Sequence, residues 1–242
     1  VEYHFAREKE NYEDFASGRV LYSAPGLTSF PVRLAAELYG RCRRALERQG
    51  VQGPYTLYDP CCGGGYLLTV IGFMYGESIA RLCASDLDAR AVEVASRNLA
   101  LLSAAGLERR IGELRAMLEA YGKPSHREAL DSAQRLRNRL EAGGRTMDTV
   151  CFQADIAADT ERIRQHAGSA HIVITDVPYG GLVQWQSGGG MELLLSRLHA
   201  VLQGPAVVAV VADKSQKIRH DRFRRIEYLK IGKRHAAILE PL

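Results

Sequence analysis

An α/β fold on one mostly parallel sheet is predicted by three features of this sequence. Short apolar or β-rich runs alternate with stretches of helical period. Four of those runs end in an acid, at Asp59, Asp86, Asp155 and Asp176. The last two runs, Arg225 to Ile231 and His235 to Leu239, are joined across Gly232 and read as an antiparallel hairpin. Seven strands with helices on both faces result. The hairpin sets the chain apart from dehydrogenase-type sheets, whose strands are all parallel.

Residues 1–28 are polar and aromatic without a clear period and read as a loosely ordered N-terminal arm with one short helix. The remaining 29–242 read as one domain. From Ser29 the period is helical, with Pro31 near the first turn and Gly50 as the stop. Strand one is expected over 55–59, a glycine loop follows, and the next helix covers 66–75. Strand two runs from Ile79 to Ser85 and ends at Asp86; Ala89 to Leu102 form a helix. The alternation then pauses at an inserted helical hairpin, 104–145. It breaks at Gly122-Lys123-Pro124, and its second helix opens on a capping box of Ser125 and Glu128. Leu130, Ala133, Leu136 and Leu140 mark that helix's buried stripe. Strand three is placed at 150–154, a helix at 157–167, strand four at 171–175, a helix at 191–202, strand five at 206–212 and a basic helix at 215–223.

Composition narrows the functional classes. With 242 residues and 46% apolar content the chain can bury a real core, and its length suits one elaborated domain. The longest apolar run, Ala206 to Ala212, is far short of the ~20 residues of a membrane helix, so no membrane association is expected. The charged start, without an apolar signal core, points to the cytoplasm. Five dispersed cysteines and scattered histidines lack metal-ligand spacing, so no metal is assigned. Net charge is only +4. Its distribution says more, because Lys214, Lys217, Arg219, Arg222 and further basic residues to Arg234 crowd the end of the chain. Such clustering is the footprint expected for phosphate backbones, although a solvated face is an equal alternative. The mixed charges of the 104–145 insertion favour a solvated face with i,i+4 pairs over RNA contact.

The stretch Asp59-Pro60-Cys61-Cys62-Gly63-Gly64-Gly65 joins a strand to a helix. Glycines there let a ligand approach the backbone, and the N–H groups opening the helix face it with the positive end of the dipole. In an open parallel sheet the strand ends line one edge, where ligands bind. The four acids would therefore surround one pocket. Asp88 is better placed as the N-cap of the following helix.

These residues resemble the Rossmann-like S-adenosylmethionine-dependent methyltransferases over roughly 29–242, the insertion excepted. Asp59 to Gly65 is similar to the family's D-x-x-x-G-x-G signature, Asp86 and Asp155 to its second and third acidic strand ends, and Asp176-Val177-Pro178-Tyr179 to its [DN]-P-P-[YF] motif. The resemblance implies S-adenosyl-L-methionine as cofactor. It would place Gly63 and Gly65 along the methionine part and Asp59 on the loop or the ammonium, with Cys61 and Asp176 also among the cofactor-binding residues. Asp86 would take the ribose hydroxyls, and Asp155 the adenine amino group, with an Ile156 N–H on the ring. Asp176, with a carbonyl of Val177 or Pro178, would hold a planar acceptor nitrogen while Tyr179 stacks on it. Val177 stands where the family has proline, so the loop's shape departs from the pattern.

The loop after this motif has glycines at both ends and carries Trp185, read equally as a stacking residue for RNA or as packed on the body. No Thr-Cys pair occurs and the one Pro-Cys pair, Pro60-Cys61, lies in the glycine loop rather than at the Asp176-Val177-Pro178-Tyr179 motif, which argues against cytosine C5 methylation with its thiol nucleophile. Val32-Arg33-Leu34-Ala35, the Cys-Cys-Gly-Gly-Gly loop and Asp-Val-Pro-Tyr-Gly resemble, more narrowly, antibiotic-resistance methyltransferases that act on ribosomal RNA. That resemblance implies a guanine of 23S rRNA as acceptor, the large ribosomal subunit as partner and avilamycin-type resistance as the consequence. A monomer is expected. Two alternatives stay open: a non-catalytic RNA-binding scaffold, and a dinucleotide-dependent oxidoreductase suggested by Gly63-x-Gly65 and Asp86.

Overall fold

The computed structural model describes residues 2–144, 147–177 and 190–242. Helix α1 (Val32–Arg48) leads into β1 (Tyr55–Asp59), then α2 (Tyr66–Tyr75), β2 (Ile79–Asp86) and α3 (Ala89–Ala100). The inserted pair α4 (Ala104–Tyr121) and α5 (Pro124–Ala142) precedes β3 (Asp148–Gln153). The chain continues through α6 (Thr160–Ala167), β4 (Ile172–Asp176), α7 (Gly190–Val201), β5 (Val207–Asp213), β6 (Phe223–Ile231) and β7 (Arg234–Pro241). The sheet order is β3-β2-β1-β4-β5-β7-β6. Strands β1 to β5 are parallel, and β7 lies antiparallel between β5 and β6.

The sheet is covered on both faces, and this is why its central strands read as unbroken apolar runs. Along β5, Val207, Ala209 and Val211 enter the core shared with α1 to α5, while Val208, Val210 and Ala212 enter the core under α6 and α7. Among the described residues no helix is long and apolar enough to cross a membrane.

Several expectations are corrected. Residues 215–223 form no helix. Asp213 prevents it, because its Oδ1 accepts both the Ser215 N–H at 2.9 Å and the Ser215 hydroxyl at 2.7 Å, offering the backbone a turn instead. The capping box is also absent: α5 starts at Pro124 with Lys123 as N-cap, and Glu128 reaches Arg19 at 3.0 Å. Helix α6 begins three residues later than expected, because Asp155 Oδ1 takes the Ala157 N–H and holds a turn. Strand β3 starts earlier than expected, at Asp148.

The arm is not loosely ordered. Phe15, Val20 and Leu21 sit in the main core. The Glu37 carboxylate of α1 accepts the backbone N–H groups of His4, Phe5 and Ala6 at 2.8–3.0 Å. Arg41 joins Glu37 (2.7 Å) to Glu227 of β6 and to the Glu2 carbonyl, and Arg44 also reaches Glu227. The insertion fastens the arm from the other side. Buried Arg110 donates to the Val20 carbonyl at 2.9 Å, and Arg135 grips Asp14. Its arginines are thus divided between solvated pairs such as Arg137–Glu108 and bonds that hold the arm.

Candidate active site

The loop after β1 is fixed from three directions. Asp59 is 2% exposed, and its Oδ1 accepts the Cys61 N–H at 3.1 Å. The Cys62 N–H donates to the Ser85 carbonyl, and the Gly65 N–H to the Cys62 carbonyl at 2.8 Å. Gly63 and Gly65 have φ of +50° and +71°, a region that L side chains rarely adopt. At Gly65 a Cβ would also stand 2.9 Å from the Ala95 Cα, so that glycine lets α2 and α3 close on each other. At Gly63 a Cβ would meet nothing within 4 Å, so the chain leaves open space there.

The acids converge as expected. Asp86, at the end of β2, accepts the Gly63 N–H on Oδ2 (2.8 Å) and the Asp88 N–H on Oδ1 (3.0 Å). Asp88 caps α3 by accepting the Arg90 N–H. Just past β3, the Asp155 N–H donates to Asp159, and the next N–H, on Ile156, makes no hydrogen bond among the described residues. Burial pushes the Asp59 carboxyl up to about 7, and the charges of Asp86 and Asp176 act the same way. The Cys61 thiol is raised well above its ordinary value by burial and then by Asp59, Asp86 and Asp155. Side chains from β1, β2, β4 and the segment after β3 therefore lie close together at one edge of the sheet.

Asp176, at the end of β4, is held differently. Its Oδ2 accepts from Arg234 at 2.9 Å. Its Oδ1 is buried without a hydrogen-bond partner among the described residues. Burial raises the Asp176 carboxyl to about 6, and Arg234 pulls it down. Under the Arg234 guanidinium lies the ring of Phe30, 5.8 Å to its centroid.

The expected RNA-binding residues do not all share this edge. Lys214, Lys217, Arg219 and Arg222 are exposed. Lys214 follows β5 at the pocket edge, where its N–H meets the Lys233 carbonyl of the β6–β7 turn. Segment 214–222 then crosses the sheet, burying Ile218 on the α7 side, and Arg222 ends beside Leu242. That point is eight residues away from Arg234, roughly 26 Å along an extended chain. Pro178, Tyr179 and Trp185 lie outside the described residues. Among the described residues no His, Cys, Asp or Glu group could hold a metal ion.

Two residues at the site carry more than sequence reasoning gave them. Asn98 donates to the Gly64 carbonyl at 2.8 Å and exchanges hydrogen bonds with the Tyr22 backbone, tying the glycine loop to the arm. Its signal was a polar side chain on the buried stripe of a helix. Arg234 stood only as one of many basic residues. Its signal was its place directly after the hairpin turn, on the edge where the acids end.

Comparison with known proteins agrees with this geometry. A family model described as rRNA methyltransferase AviRa matches residues 1–234. The chain is 44% identical over 241 residues to the 23S rRNA (guanine(2535)-N(1))-methyltransferase of Streptomyces viridochromogenes, covering 98% of this chain and 95% of that protein. Two solved structures of the rRNA methyltransferase AviRa from S. viridochromogenes superpose with TM-scores of 0.87 and 0.88 at 42% and 41% identity. Each match covers 99% of this chain and 96% of the other.

Proposed function

The chain belongs to the AviRa family of rRNA methyltransferases, and from that premise we propose that it moves a methyl group from S-adenosylmethionine to N1 of a guanine in 23S rRNA. Membership removes the oxidoreductase alternative. The observation that carries the proposal is the group of strand-end acids, one of which, Asp176, keeps a buried oxygen without a partner among the described residues. A relative of 44% identity named for guanine N1 supports the acceptor atom.

The residues present fit the cofactor. Gly63 leaves open space beside the loop backbone, and the Ile156 N–H makes no hydrogen bond among the described residues. Asp86 keeps acceptor capacity beyond its two backbone bonds, enough for ribose hydroxyls. The raised carboxyl of Asp59 lies beside further acids, a setting that a cation relieves. Bound S-adenosylmethionine supplies an electrophilic methyl on a sulfonium and leaves as a neutral thioether.

The acceptor needs help from the protein. Guanine N1 carries a hydrogen, and its lone pair is delocalised into the ring, so the proton has to leave as the new N–C bond forms. Asp176 Oδ1 receives that proton. A carboxylate raised to about 6 is still ionised at neutral pH, yet is a stronger base than an ordinary one. The base is reached outside its stack, where Tyr179 and Trp185 are assigned stacking roles and Lys214 and Lys217 phosphate contacts. The enzyme works as a monomer in the cytoplasm on 23S rRNA or the large subunit, and the added methyl group protects ribosomes from an avilamycin-type antibiotic.

Transfer of a tritiated methyl group onto rRNA, followed by primer extension, tests this reading. A stop at one guanine is expected, because a methyl on N1 blocks pairing. Cofactor binding without any transfer would mark a scaffold, and a modified base other than 1-methylguanine would remove the assigned acceptor.

A further inference from the structure

Beyond the acids of the strand ends, one cation reaches the same sheet edge from β7. Strand β7 runs antiparallel between β5 and β6, and its first residue, Arg234, faces Asp213 of β5 in register. The turn before it, with Gly232 at φ +57°, brings the chain back to the edge where β4 ends. Arg234 then donates from Nη1 to Asp176 Oδ2 across 58 residues of sequence, with the Phe30 ring beneath it. The pair is only about one-fifth exposed on either side chain. Among the described residues the charged groups that face Asp176 are Arg234 from β7 and Asp59 from β1, while its neighbour on β5 is the apolar Val211.

Guanine N1–H presents one hydrogen in one direction. Arg234 holds Asp176 Oδ2, and Oδ1 is buried without a hydrogen-bond partner among the described residues, so Oδ1 is the oxygen left to meet that hydrogen. We propose that Arg234 is the positioning residue of this site, fixing Asp176 through Oδ2 so that Oδ1 meets the single N1–H of the target guanine. The inference rests on the guanine N1 reading above. Arg234 acts through Asp176, and Phe30 supports its guanidinium.

The charge of Arg234 has a definite sign of effect. Burial raises the Asp176 carboxyl and Arg234 opposes that rise. Removing the guanidinium therefore moves the acid limb of the rate profile to higher pH, by about one unit. Methyl-transfer turnover onto rRNA is to be followed from pH 5 to 9 for the wild type, Arg234→Gln and Arg234→Lys, with cofactor affinity measured by calorimetry alongside. Arg234→Gln is expected to bind the cofactor as the wild type does, to lose about tenfold in turnover near pH 5 and about twofold at neutral pH, and to close that gap toward pH 9. Arg234→Lys, which keeps a cation beside Asp176, restores the limb's position and much of the rate. It also decides the matter alone if the glutamine variant does not fold. A limb that stays in place in Arg234→Gln, or that moves up in Arg234→Lys, overturns the proposal. Asp176→Ala separates the two levels: if it still methylates N1 the underlying reading falls, and if it is inactive while both Arg234 variants match the wild type only the positioning role falls.

Discussion

Glu37 and Asp59 are both buried acids of one domain, yet their surroundings treat them in opposite ways. Burial raises each. At Glu37 the N–H groups of His4, Ala6 and Phe5 together with Arg41 outweigh that effect, and the carboxyl ends below its usual value. At Asp59 burial prevails, neighbouring acids add to it, and the carboxyl ends near 7. Charge in the fastening region between the arm, α1 and β6 therefore holds the fold together. Charge at the pocket edge works against the empty fold and is relieved by a positively charged ligand. This is how a site can be told from a staple when both are buried and both are acidic.

The contrast is broken most directly at Asp176. Asp176→Asn should lower methyl transfer about a thousandfold by removing the base, while leaving the thermal midpoint unchanged or higher. Parallel losses of stability and turnover in a transfer assay and a melting scan would place Asp176 with the staples. Next in size, Glu37→Gln should destabilise the fold by about 3 kcal/mol in urea titration, because Arg41 and three N–H groups lose their anion. Its activity per folded molecule should stay near that of the wild type. Asn98→Ala, which touches both regions, should cost about 2 kcal/mol and weaken cofactor binding together with it. Weakening of only one would show that the arm and the loop are independent.

The smallest effect sharpens the comparison through pH. Asp59 in the folded protein keeps its proton to about 7, well above the ordinary carboxylate range. Between those limits the folded state binds more protons than the unfolded state, so stability from this group falls as pH rises. A cationic cofactor favours the ionised form, so its affinity should rise about tenfold from pH 6 to 8, with proton release visible in calorimetry. Glu37 has the opposite slope: its stabilisation is present above the ordinary carboxylate range and is lost as pH falls through it. Affinity that is flat with pH would show that Asp59 does not sense the cofactor.

The sheet was legible because its signals are local. Asp59, Asp86 and Asp176 end strands β1, β2 and β4, and Asp155 is the second residue past β3, so period and end-residue chemistry alone placed them on one edge. The glycine loop was equally plain, since positive φ at Gly63 and Gly65 demands glycine. The arm was not. It is held by single side chains reaching its backbone, as Glu37 and Arg110 do, and such bonds leave no period. Segment 215–223 carried helical composition, but the turn set by Asp213 decided its course. Arg234 could be assigned only once β7 was known to insert between β5 and β6.

One amide of α3 has a wider reach. Asn98 grips Tyr22 and Gly64 at once, so the ordering of the leading segment and that of the donor cradle are a single event. A protease nick among the first two dozen residues would loosen that cradle from a distance. By the reciprocity of linked equilibria, a seated donor molecule would shield the same stretch from cleavage.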